Sequence, residues 1–188
     1  MRLVIFDFDE TVVHLHVKWN LVHQDVITQA RVMGLPVDGK MRLVQLGNAL
    51  SGLGMKEAID KIYLHHETEC ISKKNYEVYE DMVALVKELR ARGLKLAIAS
   101  GNHSDSIRSI LTLIGLIDSF DLVCGRDATE RNKPHPDQLL LIMEKLGIPK
   151  EETVFAGDSV HDELAARSAG VRFVKVEPGS AGSVRKAL

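Results

Sequence analysis

The chain is poor in cysteine. Its 188 residues include two, Cys70 and Cys124, with no C-x-x-C spacing. That excludes a disulfide scaffold and a thiolate zinc site, and it makes a reducing compartment the default. Neither sign of charge is in excess. The formal net charge is −2, which argues against a polyanion-binding or membrane-surface protein. Long apolar runs are missing too. The longest near the start is LVIF, cut off at once by Asp7, which is too short for a signal peptide or a membrane span. The expectation is a cytoplasmic protein with no nucleic-acid or membrane partner. There is no internal repeat and no low-complexity segment. What is present is a chain 45% hydrophobic, enough to bury a full core in one domain with a small subdomain.

Five short apolar runs read as strands: residues 2–6, Leu94–Ala99, Phe120–Val123, Thr153–Ala156 and Val171–Val176. Between them apolar residues recur at three and four. Met82, Leu85, Val86 and Leu89 precede Gly93. Ile107, Ile110, Leu111 and Ile114 precede Gly115. Leu139, Ile142, Met143 and Leu146 precede Gly147. Leu164, Ala165 and Ser168 precede Gly170. The glycines are placed to stop helices. Strands that alternate with helices imply crossover units, and strands apolar throughout imply burial on both faces. The fold class expected is α/β, a doubly wound (Rossmann-like) parallel sheet.

One stretch breaks this rhythm. Residues 15–78 contain no convincing strand but several amphipathic segments: Val22, Val26, Ala30 and Met33, then Met41–Leu50, then Met55–His66. Roughly 60 residues is far more than a strand-to-helix connection needs. The expectation is an all-helical cap subdomain at 15–78, inserted into an α/β core of 1–14 and 79–188. The terminal PGSAGSVRKAL reads as a surface tail.

Ligands bind beyond the carboxyl ends of strands in such sheets. Strand one ends at Asp7, Asp9 and Thr11. The second ends at Ser100, Gly101 and Asn102. Lys133 follows the third, and the fourth ends at Asp158 with Asp162 a helical turn on. Carboxylates gathered at one edge repel each other and call for a divalent cation. Oxygen ligands alone favour Mg²⁺. The hydroxyl, the lysine and amides at helix starts suit a phosphate. A carboxylate can attack phosphorus, and a second carboxyl two residues on can move the proton.

D-x-D-x-T at Asp7–Thr11, Ser100 at a strand end, Lys133-Pro134-His135-Pro136 and Gly157–Asp162 follow in an order that resembles the haloacid dehalogenase-like hydrolase superfamily. Within it the chain is similar to phosphatases with a helical cap after the first strand, phosphoglycolate phosphatase-like proteins among them. The resemblance covers nearly the whole chain. It implies a Mg²⁺-dependent phosphatase acting on a small phosphorylated metabolite. Asp7 is then the nucleophile and a metal ligand. Asp9 is the general acid and base, and ligates the metal through its carbonyl. Thr11, Ser100, Gly101, Asn102 and Lys133 belong to the phosphate site, with Thr11 bonding locally to shape the loop. Asp158 ligates the metal and Asp162 acts behind it. Two positions depart from the pattern. Glu10 stands where the family usually has glycine, and its side chain is expected to point away from the phosphate. Glu80-Asp81 stand where relatives often carry Pro-Gly, an effect expected on the cap linker.

Other readings compete. Asp9 argues against a dehalogenase, which needs no second carboxyl. A phosphonatase needs a Schiff-base lysine, and none of Lys18, Lys40, Lys56, Lys61, Lys73 and Lys74 is singled out. A phosphomutase on the same core is excluded only weakly. A phosphorelay receiver has no use for the insert, and a silent phosphate-binding protein has no use for the carboxylates. Ser159 and Asp162 have the spacing of a capping box. Ser100 or Asn102 could be plain N-caps. His14, His16, His65, His66 and His103 read as structural or surface groups, and Trp19 and Tyr63 as cap core. Arg126 and Arg131 could reach a substrate carboxylate, or be solvated loop charges.

Overall fold

The computed structural model describes all 188 residues. The α/β core holds five parallel strands: β1 (Leu3–Phe6), β4 (Lys95–Ala99), β5 (Leu122–Cys124), β6 (Thr153–Gly157) and β7 (Arg172–Lys175), in the spatial order β5-β4-β1-β6-β7. Strand β1 is central because it is apolar at every position and buried on both faces. Its side chains alternate between two cores. Val4 and Phe6 join one, with α4 (Glu80–Ala91) and α5 (Ser104–Leu113). Leu3 and Ile5 join the other, with α6 (Asp137–Leu146) and α7 (Val160–Ala169). The chain builds outward from β1 to β5, then returns to the far side at β6. That reversal opens a crevice between the ends of β1 and β6, where such sheets bind ligands. Gly147 and Gly170 end α6 and α7 in the left-handed conformation that glycine reaches without a Cβ penalty.

The inserted stretch, called the cap below for its place beside the cavity, carries α1 (Trp19–Val32), α2 (Leu43–Leu50) and α3 (Lys56–Ser72). A widened turn at Ser51–Met55 joins the last two, bent at Leu53 and Gly54. The cap is not purely helical. Strands β2 (Val13–Leu15) and β3 (Tyr76–Val78) pair antiparallel across its two junctions. Each is three residues long, too short to display an alternating pattern, and its partner lies some 60 positions away. The cap does not keep a separate core. Val22, Val26, Leu46, Leu50, Met55 and Ile59 belong to the same buried cluster as Phe8, Val12 and Val13 below them.

The C-terminal stretch is not a surface tail. It forms a short helix, α8 (Gly182–Ala187), in which Val184 is fully buried, as is the preceding Ala181. Asp81 fastens it, accepting the Ala181 N–H at 2.8 Å and the Arg185 guanidinium at 2.6 Å. The unusual Glu80-Asp81 pair therefore serves the C-terminal helix as well as the first turn of α4.

Candidate active site

A cavity of ≈ 390 Å³ opens between the strand ends and the cap. Asp7, Asp9, Ser100, Gly101, Asn102, Lys133 and Asp158 all line it. They arrive from four different strand ends, which is why no local stretch of sequence contains the site.

Lys133 is the hub. Its ammonium donates to Asp7 at 2.7 Å and to Asp162 at 2.6 Å, and all three groups are buried. Burial disfavours the ammonium, but the two carboxylates outweigh it and keep Lys133 charged. One lysine cannot neutralise both acids. Burial, and then the Asp162 charge, push Asp7 up to about 8. Carboxylate oxygens of Asp7, Asp158 and Asp162 lie within 4.8 Å of one another. Burial and the same Asp162 charge raise Asp158. A hard divalent cation suits this all-oxygen set and its surplus negative charge.

Asp162 is fully buried and does not line the cavity. One oxygen takes Lys133; the other accepts the Ser159 N–H at 2.9 Å and the Ser159 hydroxyl at 2.6 Å. Ser159 accepts the Asp162 N–H in return, closing the capping box at the start of α7. Gly157 makes this approach possible: a Cβ there would lie 2.7 Å from the Asp162 carboxyl carbon. Asp162 thus holds Lys133 in place.

Asp9 Oδ1 accepts the Leu15 N–H at 2.7 Å. Burial nonetheless pushes its carboxyl up to about 6, close to the range that suits a proton donor at neutral pH. Glu10 adopts φ 60, the left-handed region that glycine enters freely. Its carboxylate accepts the Tyr79 hydroxyl at 2.8 Å and lies 2.6 Å from His14 Nδ1, toward the cap junction. His14 packs edge-on to His16 at 4.2 Å. Thr11 forms no local side-chain bond: it is fully buried, away from the cavity, and its hydroxyl has no partner.

Ser100 is buried and donates to Asn102 Oδ1 at 2.9 Å, while the Asn102 N–H returns to Ser100 Oγ at 3.2 Å. Neither is the N-cap of α5; His103 is, accepting the Asp105 N–H through Nδ1. Fully buried Gln138 donates to the Ser100 carbonyl at 2.7 Å and anchors the loop from below. Gly125 lets the next loop approach, since a Cβ there would stand 2.4 Å from the Ser104 nitrogen.

The cap contributes residues the motifs did not reveal. Glu67 of α3 is fully buried; it accepts the Asn102 side-chain N–H and the His103 backbone N–H, both at 3.0 Å. Burial pushes its carboxyl up to about 7. Asp60 accepts Arg126 Nε at 2.8 Å and pairs with Lys56. A signal for both existed, for Asp60 and Glu67 lie on the buried stripe of Ile59, Tyr63 and Cys70. Trp19 and Tyr63 pack 5.9 Å apart; Tyr63 belongs to the buried core cluster and Trp19 packs against it, and both also line the cavity. The two arginines separate. Arg131 is exposed and paired in a fork with Asp137, whereas Arg126 is buried in the cavity wall.

The comparisons agree with this architecture. The family described as haloacid dehalogenase-like hydrolase matches residues 4–176. A phosphoglycolate phosphatase of Photorhabdus laumondii is 31% identical over 95% of this chain and 81% of its own length. A pyrophosphatase, PpaX, of Halalkalibacterium halodurans is 37% identical over 61% of this chain and 50% of its own. A crystal structure of a HAD-superfamily hydrolase, subfamily IA, from Geobacter sulfurreducens superposes over all of both chains with a TM-score of 0.64 at 22% identity, a likeness of fold. The chain belongs to the haloacid dehalogenase-like hydrolase family.

Proposed function

We propose that the protein is a Mg²⁺-dependent phosphatase that hydrolyses a small phosphomonoester through an aspartyl phosphate on Asp7. The observation that carries this reading is the Lys133 ammonium held between Asp7 and Asp162 at the edge of a cavity lined by Asp9, Asp158 and Ser100. The relatives named as phosphoglycolate phosphatase and pyrophosphatase support the substrate class.

Asp7, Asp158 and the Asp9 carbonyl would hold Mg²⁺, which would neutralise charge on the transferring phosphoryl group. The remaining work falls to side chains. Lys133 works against the burial and the Asp162 charge that raise Asp7, and offers positive charge to the phosphoryl oxygens. Ser100, the free Gly101 N–H and Asn102 line the side where those oxygens rest. An Asp7 oxygen attacks phosphorus and the ester oxygen departs with a proton from Asp9. Asp9, now ionised, takes a proton from water as that water attacks phosphorus, releasing phosphate and freeing Asp7. Contacts from Glu67 and Asp60 keep the cap over the site while this happens.

The test is release of inorganic phosphate from a panel of small phosphomonoesters, with Mg²⁺ and with EDTA. Metal-dependent release by the wild type, lost in Asp7→Asn with the fold retained, is the expected result. Wild-type turnover by that variant would overturn the assignment.

A further inference from the structure

At the cap side of the cavity stands a cation that the proposed chemistry does not use. The Arg126 side chain is 5% exposed. Its Nε donates to Asp60 at 2.8 Å and its plane lies over the Tyr63 ring, 3.5 Å from the centroid. These two contacts fix the guanidinium in position and orientation. No carboxylate or carbonyl takes the terminal nitrogens, and Arg126 lines the cavity. Asp60 cannot balance the local charge, because its other oxygen takes Lys56. Glu67, four residues beyond Tyr63, is engaged with Asn102 and His103. Asp60 is thus shared by two cations, and Glu67 makes no ion pair with the guanidinium.

A donor fork that opens on the cavity matches a carboxylate or phosphate in geometry. Gly47 of α2 stands beside the guanidinium: a Cβ there would lie 3.7 Å from Arg126 Nη2, at ordinary contact distance. Asn132, which also lines the cavity, makes no side-chain hydrogen bond and is free to assist.

We propose that Arg126 recognises a second anionic group on the substrate. The preferred substrate is then a compact phosphomonoester with a carboxylate or a further phosphate on its leaving group. The acid cluster and Lys133 engage the phosphoryl end, and Arg126 selects the other end. In its kinetic form this rests on the phosphatase reading above; in its binding form it does not.

Two measurements separate them. In the first, kcat/KM is compared for 2-phosphoglycolate and for 2-hydroxyethyl phosphate, which replaces the carboxylate by a neutral hydroxymethyl group. Pyrophosphate serves as the arm with a second phosphate. The wild type prefers at least one anion-bearing substrate by about 100-fold, as charge-assisted bonds of this kind imply. In Arg126→Gln that preference falls to within a few-fold. In the second, calorimetry with Mg²⁺ present compares phosphonoacetate with ethylphosphonate. The wild type binds phosphonoacetate at least 30-fold more tightly, and the variant loses the difference. If the wild type hydrolyses nothing, the phosphatase reading fails and calorimetry alone decides the subsite. Gly47→Val places methyl groups beside Nη2 rather than the Nε that bonds Asp60, and it should lose the same preference should Arg126→Gln not fold. A purely structural arginine would lower stability and leave both ratios unmoved. That result, or a wild type indifferent to the second anion, overturns the proposal.

Discussion

A single methyl group at position 157 tests how the site is built. Gly157 ends β6, and a Cβ there would lie 2.7 Å from the Asp162 carboxyl carbon and 2.9 Å from its Cβ. Asp162 is short and fixed to the first turn of α7, so it cannot swing clear without breaking its bonds. Gly157→Ala should therefore detach the carboxylate from Lys133 and from Ser159. Loss of the first costs about 1.5–3 kcal/mol as a charge-assisted bond. Loss of the cap costs about 1 kcal/mol more. For a chain of this length the sum lowers Tm by roughly 5–15 °C. Lys133 then keeps Asp7 as its sole partner, and turnover should fall at least tenfold because the lysine is less firmly placed. Thermal unfolding followed by circular dichroism, with phosphate release measured alongside, provides the readout. Gly52→Ala is the control, since a Cβ at 52 meets nothing within 4 Å and the backbone there needs no positive φ. If Gly157→Ala melts within 1–2 °C of wild type and retains full turnover, the positioning role of Asp162 is wrong.

Three further predictions concern charge and the cap. Asp7, Asp9 and Glu67 keep their protons up to about 8, 6 and 7 in the folded protein, against about 4 in an unfolded chain. The folded state binds more protons through this window, so stability in EDTA should fall as pH rises from about 4 to 8, and Mg²⁺ should raise Tm more at pH 8 than at pH 5; a Tm that climbs across this window in EDTA contradicts the assignment. Glu67→Ala leaves the Asn102 side-chain N–H and the His103 N–H without an acceptor, and should lose about 2–4 kcal/mol in urea unfolding, an unchanged midpoint counting against the cap contact. Arg131→Ala removes only an exposed pair with Asp137, so stability should shift by less than about 1 kcal/mol and phosphate release should hold; a tenfold loss of activity would mean that the two arginines have been assigned the wrong way round.

Much of the core was legible because its signals are local. Leu3–Phe6 are apolar at every position, which marked a strand buried on both faces with the acids that follow at its carboxyl end. Gly147 and Gly170 marked helix ends by the one conformation that favours glycine. The Ser159–Asp162 spacing foretold the capping box that the structure contains. What escaped notice depends on distant partners. Strands β2 and β3 are three residues each and exist only because the cap brings its two junctions together. The C-terminal helix hangs on Ala181, Val184 and a bond from Asp81, too few anchors to mark a polar stretch as buried. Arg126 and Arg131 are five positions apart in one loop, and nothing local separates them. Asp60 and Tyr63 of the cap draw in the first, whereas Asp137 keeps the second in solvent. Thr11 shows the reverse error: a motif position suggested a hydrogen bond that the buried hydroxyl does not make.

The account turns on Asp7 as the group that accepts phosphorus. The most direct test is to mix enzyme, Mg²⁺ and the best substrate of the panel, quench in acid within the first turnover, and map the peptides by mass spectrometry. The account predicts one phosphoryl group on the peptide that carries Asp7, absent in Asp7→Asn and from every other peptide. Phosphate released at full rate with no label on Asp7 at any quench time would contradict it.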